Sequence, residues 1–248
     1  MRTILLLIVI VFVSCNSTET KKTAQQIIDD SITSSGLDKV ANSKIEFEFR
    51  NRKYLASRNN GTFALERFTT KDSVTIHDIL SNNDFERYRN DMKIQVPDSM
   101  KTRYSSSVNS VHYFSVLPYG LNDSAVKKKM LDDVIIKEKE YYKIQVSFSE
   151  DGGGEDFEDV FVYWINKKTN FVDYLAYSFH VNGGGMRFRE VYNEHIVNSI
   201  RLVDYNNYKP KNASTKLLDL DKAFENNGLE KLSEINLKKI KVELLDKN

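Results

Sequence analysis

The chain has 248 residues, of which 36 are Lys or Arg and 35 are Asp or Glu, so its formal net charge is +1 at pH 7. Nucleic-acid binding needs a basic field that releases counterions, and this charge balance excludes that class of function. The length suits one large β domain or two small domains. Since the chain has three prolines and no Ser/Gly-rich linker, we favour one domain.

The N-terminus has the three parts of an export signal. Arg2 supplies the positive charge, ten apolar residues follow from Ile4 to Val13, and Ser14 is the small residue before Cys15. As a helix, ten residues reach about 15 Å, half of the hydrocarbon thickness of a bilayer. The segment therefore predicts a signal peptide rather than a transmembrane anchor.

Cys15 is the only cysteine in the chain, and it ends the segment Phe12-Val13-Ser14-Cys15. This segment resembles the lipobox of bacterial lipoprotein signal peptides. In that family the cysteine receives acyl chains such as palmitate, and the peptide before it is removed. The resemblance implies a signal peptide over residues 1–14, a lipidated tether over 15–22, and attachment to a membrane. The alternative, an ordinary secretory signal, would leave an unpaired thiol in an oxidising compartment.

Asn16 follows the cysteine where some bacteria use Asp to retain lipoproteins at the inner membrane. We therefore expect a lipid-anchored protein of the cell envelope at the outer membrane, on its periplasmic or surface side. The protein partner, if there is one, is unknown.

The mature part begins with a predicted amphipathic helix. Ile27, Ile28 and Ile32 recur at helical spacing between a Thr23 N-cap and Gly36, which stands where a helix-terminating glycine would. From Lys44 the apolar period changes to two, which predicts strands. The expected strands occupy residues 44–50, 52–58, 62–69, 73–79 and 85–96, with a hairpin turn at Asn59-Asn60-Gly61.

A helical insert is predicted in the middle of the chain, where the alternation lapses between Asp98 and Asp133. Met100, Tyr104, Val108, Val111 and Ser115 form a helical stripe. Leu117-Pro118 ends this helix, and Asp123 can cap a second helical segment that runs to Met130.

Strand patterns then resume as far as Asp204. We predict strands at 134–137, 141–149, 159–165, 171–180, 186–195 and 196–204, then a broken helix from Asp219 to Ile235 and a final strand from Leu237 to Leu244. The fold class is therefore α+β and mostly antiparallel β. It is a curved sheet or half-barrel of about eleven strands, with an N-terminal helix, a central helical insert and a C-terminal helix, in a single domain over residues 23–248.

This order of elements behind a lipobox is similar to the fold of lipoprotein carriers and outer-membrane lipoprotein receptors, in which helices cover the apolar concave face of a half-barrel. Three segments also look like an uncharacterised family of bacterial lipoproteins: SVHYFSVLPYGLND, DVFVYWINKKTNFVDYLAYSF and GGGMRFREVYNEH. Neither resemblance rests on a motif that carries functional residues.

Pairing the strands around the turns at Lys168 and Gly184 places Tyr163 opposite Asp173, and Asp173 opposite His195. Both faces of this predicted sheet are apolar in their middles, which a sheet with one side in water would not need. Each face is therefore covered by other parts of the chain, or one of them lines a cavity.

We accordingly expect a non-enzymatic protein that binds an apolar small molecule or an acyl chain on the concave face of its sheet. Arg187 and Arg189 share this face and can clamp a carboxylate or phosphate, although we favour a simpler interpretation as a charged pair at the rim or edge of the sheet. The residues expected to contact the ligand are Phe161, Leu175, Tyr177, Phe179, Arg187 and Arg189.

Two alternatives remain open. Asp173, His195 and Tyr163 are weak candidates for a hydrolase or lyase site, but the chain has no GxSxG motif and we favour a protein that is not an enzyme. The other alternative is a structural interaction protein of the envelope. Asp151, Glu155 and Asp156 are weak candidates for a Ca²⁺ site that lacks the EF-hand spacing, so we expect no metal and no cofactor.

Overall fold

The computed structural model describes residues 21–152, 157–180 and 183–246. In this part of the chain the α-helices are α1 (Ala24–Ser34), α2 (Asp98–Ser115) and α3 (Leu220–Glu225), and short 3-10 helices occupy Leu37–Asn42, Tyr119–Asn122 and Leu217–Asp219. Cys15 and the predicted signal and tether up to residue 20 lie outside the described residues.

The first sheet is antiparallel and contains the N-terminal strands in chain order. Short turns join them, as alternating sequences interrupted by Asn, Gly and Asp predict. The strands are β1 (Ser43–Phe49), β2 (Arg52–Asn59), β3 (Thr62–Lys71), β4 (Val74–Ser81), β5 (Phe85–Arg89) and β6 (Met92–Ile94).

The second sheet is also antiparallel. Its strands are β7 (Val126–Met130), β8 (Val134–Ile136), β9 (Lys139–Phe148), β10 (Val160–Asn166), β11 (Val172–Phe179), β12 (Gly185–Val197), β13 (Ile200–Pro210) and β14 (Leu229–Ile235). The order is β14-β13-β12-β11-β10-β9-β7, and β8 pairs with β9. The last strand, β15 (Lys238–Leu244), returns to the first sheet and pairs with β1.

The predicted fold class is confirmed: the protein is α+β, with open antiparallel sheets and few helices. The fifteen strands in the described residues outnumber the roughly eleven expected. Three strands are additional: β6, which a turn at Asn90 and Asp91 separates from β5, and β7 and β14, which lie in segments predicted as helix, whereas β8 coincides with the strand predicted at 134–137.

Local signals at the helix ends and turns are confirmed. Thr23 caps α1 in a capping box with Gln26, and Gly36 follows the helix with a positive φ of 65°. A Cβ at Gly36 would lie 1.8 Å from the carbonyl oxygen of Ser199, so glycine is also required there by close packing. Asn60 and Gly61 both have positive φ, as the hairpin between β2 and β3 needs.

Three element predictions are wrong. Residues 126–130 form β7 instead of a helix, because Val126, Lys128 and Met130 pack inward while pairing with β9. The predicted helix over residues 219–235 is limited to α3, after which the chain turns back and continues as β14. The boundary between the strands predicted at 186–195 and 196–204 is also misplaced. The turn lies at Asn198 and Ser199, which both have positive φ.

Both faces of the second sheet are buried, as the sequence predicts. We call the side covered by α1 and by the end of α2 the inner face, and the opposite side the outer face. The outer face holds Trp164 and Phe188 and is covered by α3, where Asp221 accepts hydrogen bonds from Lys143 (2.7 Å) and Trp164 (3.2 Å). Elements of the chain itself therefore cover both sides.

Among the described residues, no helix is both long enough and apolar enough to cross a membrane.

Candidate ligand-binding site on the inner face

The residues predicted to bind a ligand do share one face. Phe161 pairs with Tyr177 across β10 and β11, and Tyr177 pairs with Arg187 across β11 and β12. Leu175 pairs with Arg189 in the same way. The ring of Phe179 lies 6.1 Å from that of Tyr177, and the Arg187 guanidinium lies 4.9 Å from the Phe179 ring.

The predicted register of these strands is wrong, although the predicted face is right. Tyr163 pairs with Leu175 instead of residue 173, an offset of two residues. Leu175 pairs with Arg189 instead of residue 193, an offset of four. Because both offsets are even, the side chains of the predicted ligand-contact residues stay on their expected side of the sheet, whereas the bulges near Ile165 and Asn193 change the side taken by residues beyond them.

The three weak catalytic candidates do not come together. Asp173 accepts hydrogen bonds from the Tyr141 hydroxyl (3.0 Å) and from Asn166 Nδ2 (3.1 Å). His195 instead contacts Asp204, with 2.9 Å between Nε2 and Oδ2, since a bulge between Val191 and Asn193 changes the course of β12.

The carboxylate of Asp204 also accepts the backbone N–H of Leu237 at 2.8 Å and Asn193 Nδ2 at 2.8 Å. Asp204, the partner of His195, therefore ties the segment between β14 and β15 to β13.

The acidic loop offers little to assess as a metal site. Asp151 is exposed, and Glu155 and Asp156 lie outside the described residues. Within the described ranges, no three or more His, Cys, Asp and Glu side chains form a group that could hold a metal ion.

Arg189 is buried in the middle of the inner face, with 8% of its surface exposed. The interpretation of a pair at a rim or edge is therefore wrong for this residue, because β12 lies between β11 and β13. Its guanidinium carbon is 3.9 Å from the ring centre of Phe114, 5.2 Å from Tyr177 and 5.8 Å from Tyr205. One nitrogen donates to the Tyr177 hydroxyl at 3.0 Å, while Nε is buried without a hydrogen-bond partner.

Two further polar atoms lie buried between α2 and the second sheet. The hydroxyls of Tyr113 on α2 and Tyr163 on β10 interact only with each other, and neither has a well-formed hydrogen bond. Burial raises the pKa of Tyr113 to about 12 and raises the pKa of Tyr163 well above its ordinary value, with the neighbouring Tyr113 adding to the effect on Tyr163. Unpaired buried polar groups are uncommon in folded proteins, so this cluster needs an explanation.

The cover of the inner face is apolar. Phe114 at the end of α2 lies over Phe161 and Tyr177, with ring centres 6.1 and 5.2 Å apart. The same cluster includes, from α2 and the segment after it, Val111, Tyr113, Phe114, Val116, Leu117 and Leu121.

The polar contacts of α2 run to the first sheet instead. Ser107 Oγ accepts from Arg67 at 2.7 Å, His112 Nε2 lies 3.0 Å from the Glu66 carbonyl oxygen, and Lys101 donates to Asp84 at 3.1 Å. Separating the end of α2 from the second sheet therefore breaks mainly apolar contacts.

Two clefts lie away from this face. One of about 560 Å³ opens between the β4–β5 turn and the start of α2, and another of about 460 Å³ opens at the surface of the first sheet near Lys53 and Phe68. Neither is lined by inner-face residues. In this conformation the inner face is filled by the protein's own side chains, so a ligand would have to displace part of the cover.

The sequence matches the profile of DUF6503, described as a family of unknown function, over residues 2–236. The chain belongs to this family. No protein with a curated description matches it.

The solved structures that are similar to this one are remote in sequence. A LolA superfamily protein from Nitrosomonas europaea is 12% identical and superposes with a TM-score of 0.50, covering 91% of this chain and 95% of that one. A DUF1329 family protein from Desulfovibrio piger is 9% identical with a TM-score of 0.45, covering 89% and 93%.

A putative outer membrane lipoprotein-sorting protein domain from Vibrio parahaemolyticus is 9% identical with a TM-score of 0.42, covering 87% and 93%. The first of these likenesses confirms, for the fold alone, the resemblance to lipoprotein carriers that the order of elements indicates.

Sequence reasoning missed the contribution of α2 to the site of this DUF6503 protein. Tyr113 and Phe114 lie beside the predicted apolar stripe of the helix instead of within it. Met100, Tyr104 and Val108 of the stripe pack on the first sheet. Val111 and the aromatic pair pack in the inner-face cluster instead. The sequence did contain a signal for this second contact surface of α2: two adjacent aromatic residues that lie outside the helical stripe.

Proposed function

We propose that the protein is an exported lipoprotein that binds an acyl chain or another apolar ligand on the inner face of its second sheet, beneath α2. It is not an enzyme in this proposal. The observation that carries the proposal is an aromatic face whose cover, the end of α2, packs on it mainly through aromatic and aliphatic side chains. Pockets for apolar ligands are typically lined in this way.

The cover can move at moderate cost. Only Val108 and His112 are fully buried among the 18 residues of α2, and Pro97 provides no side-chain cap at its N-terminus. The polar contacts with the first sheet can hold the helix while Phe114 and the following segment give way. An acyl chain would then replace the apolar contacts that the cover loses.

The anchor in this proposal is a set of acyl chains on Cys15. The support for it is the resemblance of residues 12–15 to a lipobox. Residues 15–22 reach at most about 28 Å when fully extended, so the domain from residue 23 would lie close to the membrane. Each buried methylene contributes about 0.8 kcal/mol, and two or three chains hold a protein where one does not. We place the protein in the cell envelope, at the outer membrane.

Native mass spectrometry of the full-length protein after mild extraction tests the binding function. We expect a co-purifying lipid on the wild-type protein and a loss of most of it in Tyr177→Ser, which removes an inner-face ring. Tyr174→Ser is the matched control, because Tyr174 lies on the same strand but packs on the outer face against Phe188 and Phe224.

Circular dichroism would first establish that both variants are folded. A wild-type protein free of lipid under several extraction conditions would contradict the proposal. Equal loss from both variants would indicate a general loss of structure instead of a site on the inner face.

A further inference from the structure

Arg189 is a buried cation without a buried anion. No ion pair to Arg189 occurs within residues 21–152, 157–180 and 183–246, and its guanidinium makes one hydrogen bond, to a neutral hydroxyl. Burying a charge is costly unless it is paired and hydrogen-bonded. The three nearby rings offset part of this cost by cation–π attraction. A ring face does not accept the N–H groups as a carboxylate does, so donors of the guanidinium stay unused.

The neighbouring tyrosines do not supply the missing charge. Burial raises the pKa of Tyr205 to about 12 and of Tyr113 to about 12, so both phenols are neutral at physiological pH. Arg67 shows the paired arrangement for comparison. Arg67, with 7% of its side chain exposed, lies 2.7 Å from a carboxylate oxygen of Asp78.

The unused donors converge on one place. Tyr163, Leu175 and Arg189 form one row across β10, β11 and β12, and Tyr113 covers the neighbouring Phe161 with 6.3 Å between the ring centres. The Tyr113 and Tyr163 hydroxyls have no partner other than each other, and Arg189 Nε has none. Phe114 fills the space over the guanidinium in this conformation. When Phe114 moves with the cover, one guanidinium edge and two hydroxyls are available to an acceptor with several oxygens.

A second arginine lies between this place and the end of the hairpin. Arg187 is two residues from Arg189 on the same face, is only partly buried, and lies next to the exposed Gly185. An acidic group that enters from the hairpin end would therefore meet Arg187 before Arg189.

We propose that Arg189 binds the acidic group, a carboxylate or phosphate monoester, of an amphipathic ligand whose acyl chain lies along the inner face. This inference rests on the proposed function and adds the chemical class of the ligand. The phenols of Tyr113 and Tyr163 donate to the remaining oxygens of the acidic group. A neutral lipid with the same chain lacks the group that completes the site.

Competition between matched lipids tests the inference on the full-length protein. Palmitate, palmitoyl lysophosphatidate and monopalmitin, which share one chain, are offered together and their occupancies are read by native mass spectrometry. We expect at least one acidic lipid to be preferred to monopalmitin by about tenfold or more, since hydrogen bonds to a charged partner are stronger than those between neutral groups. The two acidic lipids distinguish a carboxylate from a phosphate.

Arg189→Gln should reduce this preference to less than about twofold, because the acidic lipids then lose the charged partner that distinguishes them from monopalmitin. Arg201→Gln is the control, because Arg201 lies on the neighbouring strand with 9% of its side chain exposed and is already paired with Glu194. This control should keep the wild-type preference.

A second measurement needs no variant and remains informative if Arg189→Gln does not fold. The carbon-13 NMR signal of carboxyl-labelled palmitate, or the phosphorus-31 signal of the lysophosphatidate, reports the pKa of the bound acid. We expect this pKa to lie at least one unit below that of the same lipid in neutral detergent micelles.

The outcomes separate the two proposals. Binding of all three lipids without preference, or an acidic preference that persists in Arg189→Gln, would overturn the assignment of Arg189 and leave the proposed function standing. Binding of none of them would overturn both.

Discussion

Two buried arginines show how the same side chain takes different roles in this protein. Arg67 and Arg87 both bind Asp78, at 2.7 and 2.5 Å, which makes a neutralised network on the first sheet under α2. Arg189 on the second sheet has rings around it and no such carboxylate in the described part of the chain. The first arrangement is complete in itself, whereas the second becomes complete, under our proposal, when an acidic ligand binds.

His112 predicts a pH dependence of stability. Burial lowers the pKa of its imidazole from 6.5 to about 3, and the nearby Arg58 and Arg67 act in the same direction. Below pH 6.5 the unfolded chain therefore binds a proton that the folded protein does not. The free energy of unfolding should fall by about 1.4 kcal/mol per pH unit through this group as the pH drops from 6.5 towards 3.

His112→Phe removes this titration while keeping an aromatic ring beside Phe47 and Tyr54. Between pH 7 and pH 5 we expect the variant to lose about 2 kcal/mol less stability than the wild type. Urea unfolding followed by the fluorescence of Trp164, the only tryptophan, measures both values. Identical losses would show that the imidazole does not control this dependence.

At the scale of elements, the two longer helices differ in how firmly they are held. α1 has a capping box and buries five of its 11 residues, whereas α2 has no side-chain cap and buries two of 18. Helix stability in proteins comes largely from packing of the apolar face. The element that covers the inner face is thus the less firmly packed of the two.

Hydrogen exchange should reveal this difference. We expect the amide protons in the second half of α2 and in residues 116–122 to exchange faster than those of α1, because local opening there separates fewer buried groups. Binding of an acyl lipid should change the amide exchange rates of α2 relative to the lipid-free protein and leave those of α1 unchanged. Mass spectrometry of proteolytic fragments measures both regions, and exchange of α2 as slow as that of α1 would contradict a mobile cover.

At the scale of the whole molecule, the chain ends connect the sheets. β14 belongs to the second sheet, and β15 crosses to the first, where it pairs with β1. α1 packs into the core that both sheets share. β15 and α1 therefore connect the two sheets, and α1 begins directly after the proposed tether.

Changing Cys15 tests how this domain is attached. Cys15→Ala should move the protein from the membrane fraction to the soluble fraction and abolish incorporation of labelled palmitate, because no acyl chain can then be added. Ser17→Ala, two residues away, should behave as the wild type does. Equal membrane association of both variants would show that acylation of Cys15 is not the anchor.

Much of the fold could be predicted because its signals are local. The capping residues of α1, the hairpin at Asn60 and Gly61, and the two faces of β10 and β11 depend on neighbouring residues and on a period of two. The strands β7 and β14 were predicted as helix because each is short and its pairing partner lies elsewhere in the chain. The same reason explains why Asp173 and His195 were predicted to be partners and are not.

The amino-acid sequence by itself determined which side chains share a face, since alternation along a strand survives an even change of register. It also predicts an export signal that ends at the single cysteine of the chain. Only the tertiary structure decided the register, the cover on each face and the burial of Arg189. These depend on which strands and helices pack together over long distances in the chain, and a local pattern does not contain that information.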